Sequence, residues 1–436
     1  MEEIHVPVHN NSSSIEQTLG PISFMSWFMG VGIARPRKCS KVVTIIIRIV
    51  YLAVFLISMV YNMIELFDFD NVTNHMLSFM YFVNEAMFYV STYYYIYHGI
   101  KQYDKWPKLM DKIKELDQKI RGETQISDQP VKKAVVVAIL ATLVCCLFLL
   151  IAEILLSFIY SVEILAYNLV FFYMSAQSFI NSFVVNIVVY VLYYRFQAIN
   201  KLIGRLDKST TALWIALKIK HIRELHTDVC DLVIMVNDIY GLSLLLYTMN
   251  CFLTLVVSPF RIYVVVKEYY DNFYFILISI ITWILCTTQF GVMCWICTRT
   301  CQESDKTGII MSAVTLKCKP VNYDILHETG IQSGLEIQLD DLDNKQKFNW
   351  SHNLRYVIIE NLLRRNLDRD CVRSEINDFS IQLQHRRIAF TACNFFEISN
   401  ALFCGVSTTF FYLFTIYIKL AFLELHCIIN NISRSN

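Results

Sequence analysis

Apolar residues in this chain collect into seven runs at roughly 42–64, 77–99, 133–158, 165–193, 239–266, 272–297 and 396–427. A buried strand uses about 4–8 apolar residues, whereas a helix crossing a bilayer needs roughly 17–25. The runs therefore predict an all-α, seven-transmembrane helical membrane protein. Composition agrees: the chain is 55% hydrophobic and 17% charged, against about 45–50% and 25% in soluble proteins. Its mean hydropathy is +0.44. Aromatic residues make up 14%, which suits belts at the membrane interfaces. The second run carries the weakest pattern, because Asn84 and Glu85 interrupt it.

A net charge of +1 gives no basic surface for nucleic acid, and no nucleic-acid partner is expected. Many of the 14 cysteines, such as Cys145, Cys146, Cys251, Cys286 and Cys404, fall inside apolar runs. That is the usage of small packing side chains rather than of a disulfide framework. The polar first 40 residues do not resemble a cleavable leader and are expected to be disordered.

Charge alternates between the connections. Arg35, Arg37, Lys38 and Lys41 precede the first run, whereas 65–76 holds no Lys or Arg. The stretches 100–132 and 194–238 are basic, and 159–164 is not. The positive-inside rule then predicts a cytoplasmic N-terminus and an extracellular C-terminus. The sequons at Asn71 and Asn431 fall on the outer side as candidate glycosylation sites. G-protein-coupled receptors place the N-terminus outside. An Asp-Arg-Tyr after the third run and an Asn-Pro-x-x-Tyr in the seventh are both missing here.

The expected organisation is a cytoplasmic tail (1–41), a six-helix ligand-binding region with cytosolic helical extensions (42–297), a cytoplasmic loop (298–395), a seventh, pore-lining helix (396–427) and an extracellular tail (428–436). Helical spacing in 106–119 and 199–235 predicts basic amphipathic helices, the first continuing the second run below the membrane. Within the loop, 306–350 reads as a flexible insert and 352–375 as amphipathic helix.

Cys294-x-x-Cys297 with Cys301 has metal-like spacing, but no His or second cysteine pair follows. These read as packing cysteines, and no metal or cofactor is expected. The chain holds no phosphate-binding Gly-rich loop, no His-Glu-x-x-His and no Gly-x-Ser-x-Gly, so an enzyme is not expected.

Polar groups inside the apolar runs carry more information, because in lipid they must face protein or a wet cavity. Asn84 and Glu85 in the second run, Glu153 in the third, and Gln177 and Asn181 in the fourth lie at similar depths in the outer half. With Tyr89, Tyr93, Tyr173 and Trp283 as walls, they point to an outward-opening pocket for a small molecule. The competing reading is that each polar group bonds to a neighbouring helix, and the residues alone leave both open. In the seventh run, Ser407, Thr408, Thr409, Tyr412, Thr415 and Ile416 suit either a pore lining or ordinary helix contacts.

The C-terminal motifs resemble the insect gustatory receptor family, within the insect chemoreceptor superfamily. That family carries Gln-Leu-x-His and then a Phe-Thr-Ala-Cys-Gly-Phe-Phe-like run. This chain has Gln382-Leu383-Gln384-His385 and Phe390-Thr391-Ala392-Cys393-Asn394-Phe395-Phe396-Glu397, with Asn394 in the usual glycine place. The family's last span carries Thr-Tyr, five apolar residues and Gln-Phe. Thr409 is kept, whereas Phe410, Ile416 and Tyr417 replace the Tyr, Gln and Phe. The resemblance implies a ligand-gated, non-selective cation channel of the plasma membrane in gustatory receptor neurons, detecting a small-molecule tastant such as a bitter compound or a sugar. It further implies a tetramer, homomeric or with related receptors, whose seventh helices line the pore. A metabotropic receptor and a membrane transporter are the alternatives.

Overall fold

The computed structural model describes residues 15–37, 39–68, 75–124, 128–160, 164–206, 212–268, 273–317 and 370–435. The chain is an all-α, seven-span membrane protein. Its spans are α2 (Lys41–Asp68), α3 (His75–Lys101), α5 (Gln129–Tyr160), α6 (Ile164–Gly204), α7 (Ala212–Glu268), α8 (Phe273–Lys317) and α10 (Asn400–Ser435). Three shorter helices accompany them: α1 (Ile15–Phe28), α4 (Lys105–Arg121) and α9, which covers the described residues 370–385. Among the described residues, α2, α6, α7, α8 and α10 are long and apolar enough to cross a membrane. Helices α3 and α5 fill the second and third expected spans; α3 is diluted by polar and tyrosine side chains.

The 57 residues of α7 make a rod of about 85 Å, far more than the roughly 30 Å hydrocarbon core. Helices α6 and α8, with 41 and 45 residues, overrun it as well. The surplus builds an extramembrane layer with α4 and α9. In that layer α9 presents Val372, Ile376 and Phe379 at helical spacing, and all three are buried. His226 of α7 lies edge-on to Phe379, at 5.6 Å, and to Phe196 of α6, at 5.5 Å. Arg223 pairs with Asp378 at 3.1 Å and Glu375 at 3.3 Å, and Arg386 with Asp231 at 3.0 Å. Deeper in, the fully buried Arg195 meets Asp117 at 2.5 Å. Burial pushes the Asp117 carboxyl up, and the Arg195 guanidinium partly pulls it back.

Several expectations need correction. Residues 15–34 are not a disordered tail. Ile15, Leu19 and Ile22 bury one face of α1, which packs on α5 and α6, and Val31, Ile33 and Ala34 are buried beyond it. Averaging with the polar residues 1–14 hid this apolar spacing. Helix α4 is separated from α3 by a turn at 102–104 rather than continuing it. The expected insert at 306–350 begins as the end of α8, helical to Lys317, and 318–350 lies outside the described residues. Most of the amphipathic stretch 352–375 also lies outside them, with 370–375 helical in α9. The seventh helix starts at Asn400, not at 396. Phe396–Glu397 is a strand, β2, paired antiparallel with β1 (Thr391–Ala392). The expected tail 428–436 is helical through Ser435.

Candidate ligand site and pore face

The polar residues of the fourth span converge on the turn between α1 and α2. Met29 offers one backbone carbonyl, which accepts from Tyr173 Oη at 3.1 Å and from Gln177 Nε2 at 2.8 Å. Tyr51 of α2 donates to the Phe28 carbonyl at 2.9 Å and stacks on Tyr173 with ring centroids 5.6 Å apart. Arg48, fully buried in α2, donates to the Gly32 carbonyl at 2.7 Å and to Ile96 of α3 at 3.2 Å. The turn needs its glycines. Gly30 and Gly32 have φ of 67° and 56°, where a Cβ is strained. A Cβ on Gly30 would also stand 2.7 Å from the Tyr51 ring, and one on Gly32 2.9 Å from Asn181 Oδ1.

Beside this turn lies an aromatic cluster of Phe55, Phe88, Tyr89, Ile96 and Met174, drawn from α2, α3 and α6, with Tyr93 and Tyr173 packed against it. Tyr89 is buried and shares a 3.2 Å hydrogen bond with Ser58. Asn84 and Glu85 are half-buried on α3. The Asn84 Oδ1 and Gln177 Oε1 atoms are buried without a hydrogen-bond partner among the described residues. Of the expected pocket residues, Tyr89 and Tyr173 pack together between α3 and α6, Gln177 lies a turn beyond Tyr173 with Asn181 at the edge of the turn, and Asn84 and Glu85 stand further along α3, a turn or more from Tyr89. Glu153 lies on α5, its side chain outside the described residues. Trp283 is placed elsewhere. It stacks on Phe410 of α10 with centroids 4.5 Å apart, so it faces the seventh helix.

Helix α10 has two opposite stripes, each at seven-residue spacing. Phe403, Phe410 and Tyr417 form the packed one. Phe403 meets Phe290 at 6.0 Å, Phe410 meets Trp283, and Tyr417 meets Phe260 at 5.5 Å. The other stripe carries Gly405, Thr408, Tyr412 and Thr415, all exposed, with Thr409 exposed beside it and Ile416 half-exposed at its flank, whereas the half-exposed Ser407 lies nearer the packed stripe. Each threonine hydroxyl spends its proton on the helix itself. Thr408 donates to Cys404 at 2.8 Å, Thr409 to Gly405 at 3.0 Å and Thr415 to Phe411 at 2.7 Å. The free lone pairs then point outward, an acceptor surface of the kind that suits a cation.

A hairpin links α9 to α10. Its turn residues Cys393 and Asn394 have φ of 51° and 61°, the geometry of a type I′ turn, where Asn and Gly are the favoured residues. That accounts for Asn394 standing where glycine is usual. Asn237 of α7 holds the hairpin with two bonds, donating to the Ala389 carbonyl at 2.7 Å and accepting from the Thr391 amide at 3.2 Å. The first amide of α10, on Asn400, donates to Thr298 Oγ1 of α8 at 2.9 Å. Of the sequence motif, Gln382 donates to the Arg223 carbonyl at 3.4 Å, and His385 is exposed. Asn237 and Thr298 gave no sequence signal, being ordinary polar residues on long helices. The candidate glycosylation site Asn71 lies outside the described residues, and Asn431 falls in the last turns of α10.

Residues 17–323 and 357–419 match the 7tm Chemosensory receptor family. The chain belongs to that family. The match passes over 324–356, within and just beyond the stretch read as an insert. No curated sequence matches the chain. Its fold is similar to the insect olfactory receptor OR5 from Machilis hrabei, with a TM-score of 0.51 and 9% identity over 92% of this chain and 97% of that one. The same receptor in complex with eugenol gives a TM-score of 0.51 and 11% identity over the same shares. This chemosensory receptor is therefore a multi-pass membrane protein built on the fold of an insect chemoreceptor.

Proposed function

We propose that this chain is the subunit of a ligand-gated, non-selective cation channel, a gustatory receptor that detects small-molecule tastants, either bitter compounds or sugars. The observation that carries the reading is the second stripe of α10. A helix in lipid gains nothing by exposing Thr408, Thr409 and Thr415, whereas a helix lining a wet axis does. Four copies, of this chain alone or with related receptors, would place those stripes around a pore. The acidic and basic pairs of the extramembrane layer then lie in the cytoplasm with the N-terminus, and the C-terminus lies outside. The plasma membrane of gustatory neurons is the site of action this implies.

The ligand site is the α3–α6 region that carries Asn84, Glu85, Tyr89, Tyr173 and Gln177. Eugenol, held by the OR5 receptor of Machilis hrabei, has the size and mixed aromatic and polar character that such a lining suits. The link to the pore runs through α7, α8 and the hairpin, which contact α10 directly.

The test is to express the full chain in cells without related receptors and to record excised patches during application of eugenol, sucrose, fructose and caffeine. A fast cation current that is lost in Thr408→Trp supports the reading. Second-messenger signalling that needs a G protein, with no current in excised membrane, overturns it.

A further inference from the structure

The α1–α2 turn does more than fill space beside the ligand site. A backbone carbonyl only accepts hydrogen bonds. Met29 O therefore requires the Gln177 amide nitrogen on its own side and turns Oε1 away from the turn. The same carbonyl takes the Tyr173 hydroxyl proton, leaving that oxygen as an acceptor. Gln177 is fully buried, and its Oε1 has no partner among the described residues. Asn84 Oδ1, further along the adjacent α3, is another buried acceptor without one among the described residues. The Gln177 amide oxygen can only accept, whereas the buried Tyr93 hydroxyl packed on the same cluster, also without a partner among the described residues, can donate or accept.

The turn also has little freedom to reverse this arrangement. Its carbonyls at Phe28, Met29, Val31 and Gly32 are all taken, by Tyr51, by Tyr173 and Gln177, by Ser26 and by Arg48. We propose that the Met29–Gly32 turn fixes the hydrogen-bonding polarity of the ligand site, so that it takes a small molecule that donates hydrogen bonds, a phenol or an alcohol, and discriminates against the matching ether. This rests on reading the α3–α6 region as the ligand site. A buried acceptor left unpaired is destabilising, which an ether oxygen cannot relieve and a hydroxyl can. Gln177 and Tyr173 are the positioning and recognition residues, and the N-terminal segment becomes a determinant of specificity.

The experiment compares guaiacol with veratrole and vanillin with veratraldehyde, pairs that differ by one methyl on the phenolic oxygen. In recordings from the full chain, each phenol acts at concentrations on the order of tenfold lower than its ether. Gln177→Met, close to the native shape, and Gly32→Ala, which strains the turn against Asn181, both narrow that gap at unchanged surface delivery. Ethers as active as phenols overturn the proposal while leaving the receptor reading intact. Silence toward all four probes from a chain at the cell surface counts against the receptor reading for phenolic ligands. The turn is then judged by maleimide labelling of Gln177→Cys, read at that peptide by mass spectrometry. Faster labelling in a Gly32→Ala background supports the turn as the element that holds this side chain. Equal labelling overturns it.

Discussion

Helices α2 and α10 are both peripheral, yet they expose different chemistry. Little of either is buried, 17% of the apolar stretch of α2 and 6% of that of α10. The outward face of α2 holds Val43, Ile46, Val50, Val54 and Ile57, with a hydroxyl only further on, at Tyr61. The outward face of α10 holds Thr408, Thr409, Tyr412 and Thr415, with Phe411 exposed beside them. Exposure in one chain therefore has two meanings. The α2 face is finished, because lipid satisfies it. The α10 face is unfinished, because lipid cannot solvate its polar atoms.

The comparison breaks most visibly if one arginine is placed on each face. Ile57→Arg puts a charge against lipid at a cost of about 2.5–3.5 kcal/mol, and surface biotinylation should show delivery falling strongly. Thr408→Arg should reach the surface and abolish cation current by repulsion. Equal loss of delivery in the two variants would remove the distinction. Within α10 the two stripes should also separate. Phe410→Ala removes the ring stacked on Trp283 and should cost about 3–5 kcal/mol, read as a lower melting temperature in detergent. Tyr412→Ala, on the exposed stripe, should stay within about 0.5 kcal/mol of the parent and change unitary conductance instead.

The anchoring of α10 gives smaller effects. Asn237→Ala deletes both bonds to the hairpin and leaves two half-buried backbone groups, the Ala389 carbonyl and the Thr391 amide, without that partner, at about 1–3 kcal/mol. A shift of the dose–response curve larger than the loss of thermal stability would identify the hairpin as a coupling element. Asn394→Gly should be the mildest change. It relieves a left-handed backbone but adds glycine's freedom to the unfolded chain, so the melting temperature should move by less than about 1 kcal/mol allows. Asn394→Val should lower it clearly, because a β-branched residue tolerates that φ poorly.

The spans were legible because each apolar run is long, and length in a membrane protein is dictated by the bilayer. Boundaries were less so: Phe396–Glu397 is apolar enough to extend the run, but Asn237 draws the chain into a hairpin before the helix begins. Polar residues in the fourth span were recognisable as bound to some partner. Whether Tyr173 and Gln177 served a ligand or the chain depended on a contact with Met29, which lies 144 and 148 residues away in sequence. Periodicity carries no information about such a partner. Trp283 was misplaced for the same reason, since its neighbour Phe410 comes from the last helix.

That sequence separation also bears on biogenesis. The turn at Met29 is made first and secured late, because its partners on α6 emerge some 148 residues afterwards. At translation rates of about 5–20 residues per second, that delay is roughly 7–30 s. For that interval α1 has an apolar face and no bundle to receive it. Helix α1 must therefore wait at the translocon or with a chaperone until the third and fourth spans arrive, and a bulky tag fused close to Ile15 would interfere with that late docking step.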